Sequence, residues 1–155
     1  MKAVLQRVLS ASVECEEKTV SEIGRGFLVL LGVTKEDTQH EADVLAAKIA
    51  NLRVFSDENG KMNLSLADVS GEIIVVSNFT LCADCSHGNR PSFMDAQRPV
   101  QANELYEYFI KKLKFNGIEK VGTGVFGGDM QVRLQNDGPV TLILDTDDLI
   151  KQENK

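Results

Sequence analysis

The chain has 155 residues, a formal net charge of −6, 43% hydrophobic residues and 26% charged residues, a balance that suits a soluble domain able to bury its own core without a metal or disulfide. The acidic charge excludes a general nucleic-acid coat, which binds by neutralising phosphates. Three cysteines make no disulfide framework, no apolar run reaches membrane-spanning length, and Met1-Lys2-Ala3-Val4-Leu5-Gln6-Arg7 is too polar for a signal peptide, so the expectation is a cytoplasmic protein.

Val4 to Cys15 reads as a strand, Glu16-Glu17-Lys18 as a turn and Thr19 to Ile23 as the returning strand. Phe27 to Val33 is continuously apolar, as in a strand buried on both faces. Thr38-Gln39-His40-Glu41 is a capping box, and Leu45, Ile49 and Leu52 follow at helical spacing, which predicts a helix from about Thr38 to Asn51. Arg53-Val54-Phe55 is a short strand, Asp57-Glu58-Asn59-Gly60 a turn, and Met62 to Leu66 an alternating segment. Glu72 to Phe79 reads as another buried strand.

Ala83 to Pro99 is polar and long for a connection in a compact domain, which points to a functional loop. Val100 to Phe115 predicts a second helix, with Leu105, Tyr108, Phe109 and Leu113 on one stripe and Asn116-Gly117 ending it. Val121 to Phe126, Met130 to Gln135 and Val140 to Asp145 predict three strands, and Asp147 to Lys155 a polar tail. The organisation is therefore a single domain over 1–146 with a tail over 147–155. The class is mixed α and β, with mostly antiparallel or mixed sheets in β/β/α layers and two main helices on one side. Two helices cover only one side of so many strands, so a second sheet or a second subunit must cover the other.

The chemistry-bearing residues are sparse. Cys82 and Cys85, with His87 nearby, have metal spacing, but a structural zinc site takes four ligands and no second pair follows. Two small residues flanking a loop is the plainer account. Thr80 is a hydroxyl at a strand end, where a hydrogen-bonding role is commoner than a nucleophilic one. Gly122-Thr123-Gly124 and Gly127-Gly128 lack the Lys-Ser/Thr and following helix of a phosphate loop. Lys111, Lys112, Lys114 and Lys120 form a local basic cluster that also suits a helix C-terminus. No acid/base set and no metal set is complete.

Two stretches remain. Asn136-Asp137-Gly138-Pro139-Val140-Thr141 lies between strand-like runs and has turn composition. An X-Pro bond takes the cis form for only about 0.5–1 kcal/mol, which would aim consecutive carbonyls to one side as a rigid tip. The second stretch is Ser77-Asn78-Phe79-Thr80-Leu81.

Together these two stretches, with Met1 to Val8, Gly88-Asn89-Arg90-Pro91-Ser92-Phe93 and Asp129-Met130-Gln131-Val132, resemble the D-aminoacyl-tRNA deacylase (D-tyrosyl-tRNA deacylase) family over nearly the whole chain. The resemblance implies hydrolysis of the ester joining a D-amino acid, or glycine mischarged on tRNA-Ala, to the 3′ acceptor end of tRNA. It implies a homodimer with the site at its interface, no cofactor and no membrane. The family's Ser-Gln-x-Thr motif falls on Ser77, Asn78, Phe79 and Thr80, the implied catalytic segment, with Asn78 one methylene shorter than the usual Gln. The resemblance implies that Gly138-Pro139 is cis and inserts into the partner's site to exclude L side chains, with Arg7 and Met130 supporting it. Two alternatives stay open: a sibling deacylase of altered amino-acid specificity, for which Asn78 is the hint, and a non-catalytic RNA- or metal-binding module.

Overall fold

The computed structural model describes residues 1–153. In chain order it forms β1 (Lys2–Cys15), β2 (Lys18–Ile23), β3 (Gly26–Gly32), α1 (Gln39–Ala50), β4 (Phe55–Ser56), β5 (Met62–Leu64) and β6 (Glu72–Ser77). A 3-10 turn (Phe79–Cys82), α2 (Pro99–Phe115), β7 (Val121–Thr123), β8 (Met130–Asp145) and α3 (Thr146–Glu153) follow. The mixed α/β class expected from the sequence is the class observed.

The helices start where their local chemistry says they should. The Thr38 hydroxyl accepts from His40 N–H at 3.2 Å and the Glu41 carboxylate accepts from Thr38 N–H at 2.7 Å, so both groups of the capping box are satisfied. Behind the cap, Ala42, Leu45, Ala46 and Ile49 are wholly buried. Pro99 opens α2, where its missing N–H removes nothing the helix uses.

The main sheet runs β2-β1-β3-β6-β7, with β8 also paired to β1. The pairs β1–β2, β1–β3 and β1–β8 are antiparallel, and β3–β6 and β6–β7 are parallel. Strands β3 and β6 are buried on both faces, as their unbroken apolar runs predict. Phe27, Val29, Leu31, Ile73 and Val75 face the core under α1 and α2. Leu28, Ile74 and Val76 face a second, smaller core under the distal halves of β1 and β8.

Two irregularities decide which side chains reach which core. Between the pairs Gln6↔Thr141 and Val8↔Asn136, β1 supplies one residue, Arg7, and β8 supplies Asp137, Gly138, Pro139 and Val140. The three extra residues reverse the strand's two-residue alternation. Leu142 and Leu144 therefore pack against the helical core, whereas Met130, Val132 and Leu134 pack against the second one. Between Val8↔Asn136 and Ser10↔Gln135, the single residue Leu9 bulges out of β1 and reverses that strand in turn. Leu5 consequently faces the helices and Ala11 and Val13 the other core.

The strand expected at Arg53–Phe55 is instead Phe55–Ser56, and the segment expected at Met62–Leu66 is a strand only to Leu64. Four further expectations need correction. The stretch from Met130 to Asp145 is one strand, so Asn136–Thr141 is a projecting bulge and not a hairpin turn. Strand β7 stops at Thr123. Strand β6 stops at Ser77, and the chain enters a 3-10 turn at Phe79. The expected tail is helical from Thr146 to Glu153, because Thr146 is buried with its N–H on the Met1 carbonyl at 2.9 Å and Leu149 packs on the main core. Asn154 and Lys155, the last residues of that expected tail, lie outside the described residues.

Candidate active site

Strand β6 ends against β3, and the Asn78 N–H still bonds the Leu31 carbonyl at 2.8 Å. The chain then tightens into the turn Phe79–Cys82, whose first closing bonds run from Leu81 N–H to Asn78 O at 3.3 Å and from Ala83 N–H to Thr80 O at 3.2 Å. A 3-10 turn leaves its leading amides without an acceptor inside the turn. Here those amides belong to Phe79 and Thr80. The Thr80 hydroxyl donates to the Asn78 side-chain oxygen.

Ser77, Asn78 and Phe79 line a cleft of about 920 Å³. Its floor comes from the second core: Leu28, Leu30, Val76, Met130, Val132 and Leu134. One face of α2 walls it through Pro99, Ala102 and Tyr106, with Arg98 just before the helix, and Gln6 reaches it from β1. The fourth wall is the long loop. Its bridge between Asp84 and Ser92 and the bonds Lys35 N–H to Asp95 O (3.0 Å) and Gln97 N–H to Val33 O (2.9 Å) tack it down. That places the Phe93 ring edge-on to Phe79, with centroids 5.0 Å apart and planes at 72°. Phe79 is 59% exposed at the mouth, and Met94 and Val100, next in sequence to the lining residues Phe93 and Pro99, are 72% and 67% exposed.

Tyr106 fixes the height of this site. Its buried hydroxyl donates to the Val75 carbonyl at 2.7 Å, tying α2 to β6 two residues before Ser77. Burial pushes its phenol up to about 12. A raised acid stabilises the fold fully below its unfolded value, about 10, and loses that contribution as pH rises through the folded one. Tyr106→Phe is expected to lower stability by about 1 kcal/mol at neutral pH and to remove part of the alkaline decline. Denaturant melts at about pH 8 and about pH 11 check this; parallel declines in both proteins would overturn it.

The bulge of β8 forms a separate cluster. The Gly138-Pro139 bond is cis, and Gly138 has φ +130°. Arg7, 8% exposed, donates from Nε to the Asp137 carbonyl at 3.2 Å, pairs with the Asp137 carboxylate at 3.1 Å, and donates from Nη1 to the Val54 carbonyl at 2.6 Å. Of the residues singled out from sequence, the chain thus gathers Ser77, Asn78, Phe79 and Met130 at the cleft, with Thr80 beside them. Arg7, Gly138 and Pro139 gather elsewhere. Met130 lies on the floor of the cleft and not beside its own chain's bulge, and its sulfur accepts from Val125 N–H at 3.3 Å. Adjacent strand residues point to opposite faces, so β1 sends Gln6 to the cleft and Arg7 to the bulge.

Gln97, Arg98 and Tyr106 were not singled out from sequence, and Gln6 and Phe93 were quoted only within stretches that carry the family resemblance, with no role at the site. The length of the 83–99 loop was the other hint. The cysteines do not act together: Cys82 is buried, with its thiol on the Val33 carbonyl and pushed up by burial, while Cys85 is exposed. Among the described residues, no three His, Cys, Asp or Glu side chains converge as a metal site.

Comparison with known proteins places the chain in one family and one fold. Residues 4–145 match the family model described as D-Tyr-tRNA(Tyr) deacylase. The D-aminoacyl-tRNA deacylase of Clostridioides difficile (strain 630) is 55% identical over 146 residues, covering 94% of this chain and 97% of that one. That of Lacticaseibacillus casei (strain BL23) is 56% identical over 147 residues, covering 95% and 99%. A solved structure described as c-Myc DNA Unwinding Element Binding Protein superposes with a TM-score of 0.88 at 48% identity, covering 94% of this chain and 98% of that one. A second, of a probable eukaryotic D-amino acid tRNA deacylase, shares the fold with a TM-score of 0.79 at 17% identity, covering 93% and 98%.

Proposed function

The chain belongs to the D-Tyr-tRNA(Tyr) deacylase family, and from that premise we propose how its cleft and its bulge divide the work of hydrolysis. The protein hydrolyses D-aminoacyl-tRNA. Ser77, Asn78, Phe79 and Thr80 form the hydrolytic segment, acting mainly through the backbone. Water attacks the ester carbonyl, the oxyanion that forms is held by the Phe79 and Thr80 amides, and collapse expels the ribose oxygen. Preorganised amides of this kind each contribute about 3–4 kcal/mol in other acyl-transfer sites. The neighbouring ribose hydroxyl of the substrate relays a proton from the attacking water to the departing ribose oxygen, which takes the place of a side-chain base and leaves the free amino acid and tRNA.

The bulge is the gate. One observation carries this reading: β1 turns Gln6 to the cleft and Arg7 to the bulge, so a chain holds Gly138-Pro139 away from its own site. A second copy supplies the tip, in a homodimer whose interface covers the apolar cleft floor and the exposed Phe79, Met94 and Val100. The main-chain tip orients the substrate's amino group and occupies the space an L side chain needs. Glycine has no side chain to reject, so glycyl-tRNA mischarged on tRNA-Ala is a second substrate. Backbone exclusion suits an enzyme that accepts many D side chains and spares every L one. The acceptor end of tRNA enters at Arg98 and the Phe79–Phe93 mouth. Among the described residues no helix is long and apolar enough to cross a membrane, and the cytoplasm, where tRNA is charged, is the proposed place of action.

Thr80→Ala tests the backbone mechanism. It is expected to lower kcat on D-tyrosyl-tRNA by about tenfold or less, because the hydroxyl is committed to Asn78. Abolished hydrolysis with substrate binding intact would return catalysis to the side chain.

A further inference from the structure

We infer that Asn136 is a positioning residue that sets the neck of the β8 bulge and, through it, the preference for one hand of substrate. The inference rests on the gate reading above. Asn136 stands at the last regular pair before the bulge, opposite Val8. Its side-chain amide has two hydrogens, and both are used: Nδ2 donates to the Arg7 carbonyl at 2.9 Å and to the Val140 carbonyl at 3.0 Å. These oxygens lie on either side of the register skip, one on β1 and one at the far end of the bulge. A single planar group therefore cross-links the two ends of the opening, and it is half-buried, which limits competition from water.

The division of labour with Arg7 is clear from their contacts. The guanidinium holds Asp137, the near end of the projection, and ties it to Val54 in the body of the protein. Asn136 holds Val140, the far end. Between these two anchors lie only Gly138 and Pro139, so the position of the tip follows from both. Backbone supports of this kind matter because small misplacements of a site are expensive in selectivity.

Asn136→Asp keeps the side chain's size but turns a carboxylate oxygen toward two carbonyls that previously received hydrogens. The neck opens, and the tip is no longer fixed. Two readouts follow in the full-length protein. The ratio of kcat/KM for D-tyrosyl-tRNA to that for L-tyrosyl-tRNA is expected to fall by about tenfold or more. Amide hydrogen exchange at Gly138 and Val140 is expected to accelerate at neutral pH. Asn136→Ala, which removes the donors without adding charge, should move both in the same direction by less, and serves if the aspartate variant does not fold. A residue of merely structural importance would lower both rates in proportion to the folded fraction, leaving the ratio unchanged; that result overturns the inference, as does unaltered exchange. Gly138→Ala separates the two levels. If it shifts the ratio and the Asn136 variants do not, the role of Asn136 is wrong; if it too leaves the ratio unmoved, the gate itself is wrong.

Discussion

Gly138→Ala is expected to lower discrimination between D- and L-tyrosyl-tRNA by about a hundredfold, the penalty typical of displacing a site by about 1 Å. Gly138 has φ +130°, a region where side chains are strained by about 1–3 kcal/mol. An added Cβ would also sit 2.8 Å from Val140 Cγ2, 3.0 Å from Val140 N and 3.2 Å from Arg7 Nη2. The first two neighbours belong to the bulge itself, and the third belongs to its main anchor. Relief therefore comes by moving the tip, the part proposed to fill the space of an L side chain. Loss of discrimination should come from new L turnover as well as from reduced D turnover. Steady-state kinetics on both substrates check it, alongside sedimentation of the wild type and variant. A wild-type monomer, or an unchanged ratio with normal folding, would remove the gate from across a dimer.

The second large effect concerns the frame beneath the catalytic segment. Gly26→Ala is expected to destabilise the fold by more than about 4 kcal/mol, beyond the ordinary range for single substitutions. Gly26 opens β3 opposite Glu72, the first residue of β6, in a parallel pair. A Cβ there would lie 1.7 Å from the Glu72 carbonyl oxygen and 2.7 Å from its carbon and nitrogen. All three are backbone atoms and cannot rotate aside, so the strands must separate and give up ladder bonds. Because β3–β6 register delivers Ser77 to Leu31 and Asn78 to the cleft, any folded fraction should also lose activity. Denaturant unfolding and soluble yield measure the effect; a variant as stable as the wild type would show that the pair tolerates wider spacing than its geometry implies.

Several elements were legible because their causes are local. Helix α1 begins and ends within a residue of the expected limits, since a capping box and a buried stripe act over a few residues. Helix α2 differs by one residue, Pro99, at its start. The polar 83–99 loop was recognisable by length, but its service as a wall of the cleft was not, because that depends on Thr34, Lys35 and Val33 reaching Ala96, Asp95 and Gln97. Helix α3 was missed although it has local signals: the Asp145 side chain accepts from the Asp147 N–H at 3.1 Å, acidic residues open the helix and Lys151 sits in its last turn. A helix this short is held by docking against Met1 and the main core.

The sequence alone determined the mixed α/β class, the two long helices, the doubly buried strands and the family-bearing segments Ser77–Thr80 and Gly138-Pro139. Tertiary pairing decided how they relate. Local composition made Asn136–Thr141 a turn, but pairing of β8 with β1, more than a hundred residues away in sequence, draws both flanks into one strand and leaves the middle protruding. That mismatch reverses side-chain parity, sending Met130 to the cleft and Leu142 to the helices. Alternation along β1 then places Gln6 and Arg7 on opposite faces. No local signal encodes these outcomes, because register is a property of two strands and neither carries it alone.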